Sequence, residues 1–317
     1  LFFPPDVSYV YFHNKRAVTT YPIASGVYNG IRFDNNPDIS LHRNTRQPTS
    51  YFSAPSRYDF FGGYDHGKEC GVVHVANHHI ATGRKMFTWA YNQLSASWEQ
   101  ALTDTDGPYA ELMAGSCSDN QPDFAWMEPF ETKNFSHFWY PISEVGIPVF
   151  ANENAVLSRT QCGGRIKLAL QTVRQYQNAR LRVSAAADGT IILDQPINLR
   201  PGETFRISYH TSTKDGSRYL LTDQRGGVVF EFSEGDSNPS DIPEPVSDLP
   251  AYNELRTPQE LYLAGLHRAQ YRDPVVLPDI YWKEALCRDP EYVPALLAMG
   301  DFCYRRAFLA EALSYLE

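Results

Sequence analysis

The sequence is poor in the residues that build the best-marked sites. Its five cysteines (Cys70, Cys117, Cys162, Cys287 and Cys303) are scattered and odd in number, and none forms a Cys-x-x-Cys pair. This argues against a disulfide scaffold or a cysteine-based zinc centre and favours a reducing compartment, the cytoplasm. No apolar run approaches the ~20 residues that a membrane-spanning helix needs, so no membrane partner is expected. Positive charge is short as well: 28 lysines and arginines against 37 aspartates and glutamates leave a net charge of -9. An acidic chain without a basic stripe repels phosphate backbones, which argues against nucleic acid as a partner. His74, His78 and His79 lie close together in the sequence, but no HExxH-like spacing accompanies them, and neither a metal nor a cofactor is expected.

Aromatic residues are abundant: 20 Tyr, 18 Phe and 5 Trp stand beside 22 Pro. Aromatic residues favour strands and prolines punctuate turns, so the fold should be mainly β. Most aromatic rings fill sandwich cores, and those at a surface suit sugar rings, whose C–H faces pack on them. A chain of 317 residues is long for a single core, and two or three domains are expected. It opens on Leu1 in a strand-like run and stops at Glu317 inside a helical pattern, which reads as a piece of a longer protein.

Three regions follow one another. Residues 1–146 carry strand-like runs at 7–12, 17–21, 71–75 and 135–140, with a long polar loop at 35–49. Residues 147–234 show short strands at 168–173, 179–185, 190–193, 204–209 and 227–232, separated by Asp188-Gly189, Pro201-Gly202, Asp215-Gly216 and Gly226-Gly227. That spacing suggests a small immunoglobulin-like β-sandwich. Residues 235–256, rich in Pro, Ser and acids, read as a linker. From 257 the chain is helical: Thr257 as N-cap, Pro258 at the first position and Glu260 at the third make a good helix start. The run from Tyr281 to Asp289-Pro290, then Leu297, Gly300 and Tyr304, then Ala312, resembles the tetratricopeptide repeat, with Ala307 in place of the usual turn glycine. Residues 257–317 then begin a helical repeat array, a surface on which a protein partner would dock.

The densest polar and aromatic cluster lies in the first region. Gly62-Gly63-Tyr64-Asp65-His66 puts a carboxylate in a loop after two glycines. Asn77-His78-His79 follows a strand, and of two histidines adjacent on a strand one should face in and one out. Arg84, Lys85 and Trp89 come next, then Tyr109-Ala110-Glu111-Leu112-Met113 and Trp126. Strand alternation puts Glu111 on one face with Tyr109 and Met113, where desolvation would make its carboxyl a usable general acid or base. Each residue also has a structural alternative: Glu111 paired with a buried base, Asp65 capping a turn, His78 or His79 satisfied in the core, Trp89 and Trp126 packed inside, Arg84 solvated, and Glu131 held in a turn.

Gly63-Tyr64-Asp65-His66 resembles the segment of galactose mutarotases in which the Asp grips sugar hydroxyls. Ala110-Glu111 followed by Asn120-Gln121-Pro122-Asp123 looks like the segment bearing their catalytic Glu, and Pro129-Phe130-Glu131-Thr132 is similar to their turn into the last strand. Phe130 stands at the place of the turn glycine, and the mutarotase histidine acid has no counterpart upstream. The run 58–141 also resembles a bacterial and fungal family of uncharacterised function (domain of unknown function 5107), which joins a mutarotase-like domain to a small β domain and tetratricopeptide repeats. The resemblance implies a galactose-mutarotase-like supersandwich in residues 1–146 and a carbohydrate ligand. It implies Glu111, Asp65 and His79 as catalytic groups and Tyr64, His66, Asn77, His78, Arg84, Trp89 and Trp126 as substrate contacts. Arg200-Pro201-Gly202-Glu203-Thr204 looks like the same turn but has no Asp motif upstream and reads as ordinary turn chemistry. Two functions remain open: an enzyme acting on a glycoside or free sugar by general acid/base catalysis, and a non-catalytic carbohydrate-binding module attached to a repeat scaffold. A third reading is a scaffold whose sandwich has lost its ligand.

Overall fold

The aromatic and β-branched runs of the first region pair into two antiparallel sheets in the computed structural model, which describes residues 1–12, 17–28, 31–116, 127–211, 216–235, 241–271 and 275–317. In chain order these strands are β1 (Tyr9–Tyr11), β2 (Val18–Thr20), the β3–β4 ribbon (Val27–Tyr28, Ile31–Arg32), β5 (Thr49–Ser53), β6 (Phe60–Asp65), β7 (Cys70–Val75) and β8 (Gly83–Thr88). Helix α1 (Gln93–Thr103), β9 (Ala110–Gly115) and β10 (Phe138–Ser143) complete the region. A five-stranded sheet runs β2-β1-β5-β8-β9, and a three-stranded sheet runs β10-β7-β6. The smaller sheet is covered on both faces. Phe61 packs with Tyr51, Met86 and Val10 in one core. Its neighbour Phe60, with Val73 and Val75, packs with Ile142, Ala151 and Val156 in another, so packing runs across residue 146. A Cβ on Gly71 would strike the Gly63 carbonyl, and one on Gly62 would strike the Val72 carbonyl and the Phe2 ring. These two glycines therefore serve close strand packing.

His78 and His79 do not sit on a strand. β7 ends at Val75, and both histidines lie in the turn that follows. The Asp59 carboxylate accepts the His78 amide at 2.8 Å and the Asn77 side chain accepts the His79 amide at 2.9 Å, so local side-chain acceptors replace ladder partners. The strand expected from residue 135 begins at Phe138.

Among the described residues the second region forms eight strands rather than five: β11 (Pro148–Ala151), β12 (Ala155–Cys162), β13 (Arg165–Thr172), β14 (Tyr176–Ala185), β15 (Ile191–Leu199), β16 (Phe205–His210), β17 (Ser217–Thr222) and β18 (Val228–Ser233). They make two four-stranded antiparallel sheets, β11-β12-β13-β16 and β15-β14-β17-β18. One core holds them together, with Leu157 and Leu168 from the first sheet against Leu181, Tyr219 and Phe230 from the second. Residues 1–118 and 127–244 form one compact unit, and 245–317 belong to a second.

The second unit is helical: α2 (Pro258–Gln270), α3 (Asp279–Arg288), α4 (Val293–Tyr304) and α5 (Leu309–Leu316). Its core is built from Leu261, Tyr281, Trp282, Met299 and small residues such as Ala285, Ala295 and Ala312. Gly265 lies against the Trp282 ring and Gly300 against Leu316, where a Cβ would collide. Ala307, between α4 and α5, holds φ 61°. The start of α2 is a complete capping box: the Thr257 hydroxyl accepts the Glu260 amide at 3.1 Å, and the Glu260 carboxylate accepts the Thr257 amide at 3.0 Å. Replacing Thr257 by Ala should cost about 1 kcal/mol and speed hydrogen exchange of the first α2 amides about fivefold. Unchanged exchange there would show that the cap does not hold the helix. Among the described residues no helix is long and apolar enough to cross a membrane.

Candidate functional site

The register of β5, β8 and β9 sorts the expected residues onto opposite faces of the five-stranded sheet. Tyr51, Met86 and Leu112 form a row that faces the core. Strand alternation then turns Phe52–Lys85–Met113 and Ser50–Phe87–Glu111 to the outer face. Lys85, Phe87, Glu111 and Met113 are half-buried there. Tyr11 extends the first row, its ring stacked on Phe52 at 5.3 Å, and the Lys85 ammonium sits 5.5 Å from the centre of that ring. Phe87 meets Trp89 edge-on at 5.1 Å, and Trp89 stacks on Trp98 at 4.6 Å with only 6° between the planes. Trp98 is 51% exposed, so this stack presents an open aromatic surface beside Glu111.

Helix α1 holds that platform. Asn92 caps it by accepting the Ser95 amide at 3.0 Å. The residue after Trp98, Glu99, lies 3.6 Å from His42 Nε2, which itself meets the Thr88 hydroxyl at 2.8 Å. Burial lowers the pKa of His42, and the Glu99 charge opposes that shift. The Tyr109 hydroxyl donates to Glu111 Oε1 at 3.1 Å. Desolvation, then the hydrogen bond to Glu111 and its charge, raises the Tyr109 pKa, which keeps the phenol a proton donor at neutral pH. The face therefore offers a carboxylate, an ammonium, a phenol and a wall of rings.

The other expected residues lie elsewhere. Ala110 and Leu112 line a cavity of about 1430 Å³ together with Tyr64, Asp65 and His66, whereas Glu111 between them is not one of its walls. The Asp65 carboxylate accepts the amides of Gly67 at 2.8 Å and Lys68 at 3.1 Å, which closes the β6–β7 turn. His78 holds Asp59 at 2.8 Å, and its ring lies 3.9 Å from that of His79, tilted by 39°. Both precede Gly83, which pairs with Gly115, four residue steps or about 13 Å from the Phe87–Glu111 pair. Arg84 is 3% exposed and donates to the Tyr58 carbonyl, and burial lowers its pKa to about 10. Glu131 accepts the Glu128 amide at 2.7 Å within a turn. Arg200 and Glu203 pair across the turn at Gly202, at 3.7 Å. Trp126 falls outside the described residues. Asp65, Glu111 and His79 are thus not brought together.

Sequence reading did not single out Trp98 or Phe87, and it weighed His74 only as a metal ligand. A helix start was available in Asn92 with Ser95 three residues on, and strand alternation in Val73-His74-Val75 marks His74 as the residue on the other face. His74 is fully buried, with its Nε2 2.7 Å from His137 Nδ1 and its ring against Phe61 and Trp139. Burial first, then the charges of His137 and Arg84, lowers its pKa to about 3. Among the described residues no group of three or more His, Cys, Asp or Glu is placed to hold a metal ion, and the four described cysteines are free.

Fold and surface together define a protein of antiparallel β-sheets with C-terminal helices. Residues 2–142, the stretch that holds the whole Glu111 face, match the family model described as a domain of unknown function (DUF5107).

Proposed function

We propose that the first region binds carbohydrate on the outer face of the five-stranded sheet. The observation that carries this reading is the aromatic wall of Phe87, Trp89 and Trp98 beside the Glu111 carboxylate and the Lys85 ammonium. A pyranose has C–H faces that pack on rings and hydroxyls that both donate and accept, so it satisfies both kinds of group at once. Hydrolysis of a glycoside needs two carboxylates flanking one bond, and Asp65, the expected partner of Glu111, is held in a separate turn, as is His79. The proposed activity is therefore binding rather than turnover.

The antiparallel sheets and the order of the motifs fit a galactose-mutarotase-like domain. Helices α2–α5, with Gly265 and Gly300 at close helix contacts, fit tetratricopeptide-type repeats. Exposed Leu297, Tyr304 and Leu313 would be the surface covered by a protein partner. A glycan array on the full chain, followed by calorimetry and product analysis of each hit, tests the reading. Saturable binding with no product is expected, and release of a new sugar species would replace binding by catalysis. Trp98→Ala removes roughly 40 Å² of apolar contact, and binding should weaken about fivefold. Unaltered affinity would remove Trp98 from the platform.

A further inference from the structure

A second polar cleft lies where the tip of the β6–β7 hairpin meets the outer face of the β11-β12-β13-β16 sheet. It has a volume of about 470 Å³. Strand pairing aligns Thr160, Lys167 and Ser208 in one row across the sheet floor. Tyr64 and His66, edge to face at 5.4 Å, form an aromatic wall, and Glu69 stands at the rim. Two of the charges are already compensated: Arg206 holds the Glu144 carboxylate at 2.9 Å. Among the described residues, Lys167 and Glu69 have no ion-pair partner for their side chains, and the Thr160 hydroxyl has no hydrogen-bond partner.

We propose that this cleft is a second pyranose subsite. An ammonium and a carboxylate of opposite sign, both unpaired, suit a neutral ring whose hydroxyls accept from one and donate to the other. Thr160 adds a hydroxyl partner, and Tyr64 takes the C–H face of the sugar. A ligand of one charge would meet repulsion from Lys167 or from Glu69. The subsite is independent of the Glu111 face, because it is built on the hairpin tip and the second region.

The test is amide chemical-shift mapping of the full chain titrated with methyl glucopyranosides and methyl galactopyranosides. Two sets of shifting amides are expected, one around 85–87 and 111 and one around 64–69, 160 and 167. Lys167→Met should weaken the second set about fivefold, the loss of one exposed charged hydrogen bond, and leave the first unchanged. Glu111→Gln should weaken the first set and leave the second unchanged. If the junction amides do not move, or move equally in wild type and Lys167→Met, the second subsite is overturned while the Glu111 face stands. If only the junction amides move, the subsite stands and the Glu111 reading falls. Shifts at the junction with glycylglycine but not with the glycosides would overturn the sugar assignment.

Discussion

Glu111→Gln is expected to lower the affinity of the outer face for its sugar about 30-fold, with no measurable loss of stability. A hydroxyl held by a carboxylate forms a charge-assisted hydrogen bond, and exchange for an amide costs about 2 kcal/mol of binding. The side chain is half-buried at the edge strand and among the described residues takes one hydrogen bond, from Tyr109, which an amide oxygen can still accept. Asp65→Asn is the companion variant. Its carboxylate is engaged by the amides of Gly67 and Lys68, so the substitution should leave sugar affinity on the Glu111 face unchanged and cost no more than about 1 kcal/mol of turn stability. Calorimetric titration of both variants with an array hit decides the matter. Equal affinities for wild type and Glu111→Gln would remove the carboxylate from the site. A large loss in Asp65→Asn would move the ligand to the cavity that Asp65 lines.

The contrast between those two carboxylates shows what strand logic reaches and where it stops. Placing Glu111 on a face with Met113 needed only the period of two, and the register agrees. The turn glycines of the second region and the capping box at Thr257 were legible for the same reason: their chemistry lies within a few residues of sequence. The Gly62-Gly63 pair read as the start of a loop carrying Asp65, but all three residues lie in β6, and Gly62 is dictated by the Phe2 ring and the Val72 carbonyl, contacts made by tertiary packing. His78 and His79 left the strand because Asp59, 19 residues away from His78, supplies a better acceptor than the ladder. Trp98 was missed because it joins the site from a helix, whose docking depends on His42 and Glu99 rather than on any pattern around it. The whole platform is therefore a tertiary object, with the ring of Trp89, one residue past β8, stacked on Trp98 of α1 across nine residues of chain.

Acid should unfold the β unit earlier than its carboxylates alone require, and His74 is the reason. In the unfolded chain His74 takes a proton near the ordinary value of 6.5, whereas in the folded protein its pKa is lowered to about 3. The stabilising contribution is complete above 6.5 and is lost as pH falls below it, because the unfolded state binds a proton that the native state refuses. The slope is ~1.4 kcal/mol per pH unit, and the loss down to about pH 3 is on the order of 4 kcal/mol. Geometry supports this direction independently. His74 is packed by Phe61 from β6, by Trp139 from β10 and by the His137 ring at its Nε2, and its Nδ1 has no partner among the described residues. The titratable groups that face it are His137 and the buried Arg84, and both act to lower its pKa. A separation of 2.7 Å between two ring nitrogens needs one donor and one acceptor, so the pair cannot hold a proton on both. Urea unfolding of wild type and His74→Gln, followed by fluorescence between pH 7 and pH 4, isolates this group, because every other titrating side chain is shared by the two proteins. The wild-type stability should fall more steeply by close to one proton's slope. Parallel curves would mean that His74 titrates alike in the folded and unfolded chains, and its place between the sheets would then carry no pH dependence.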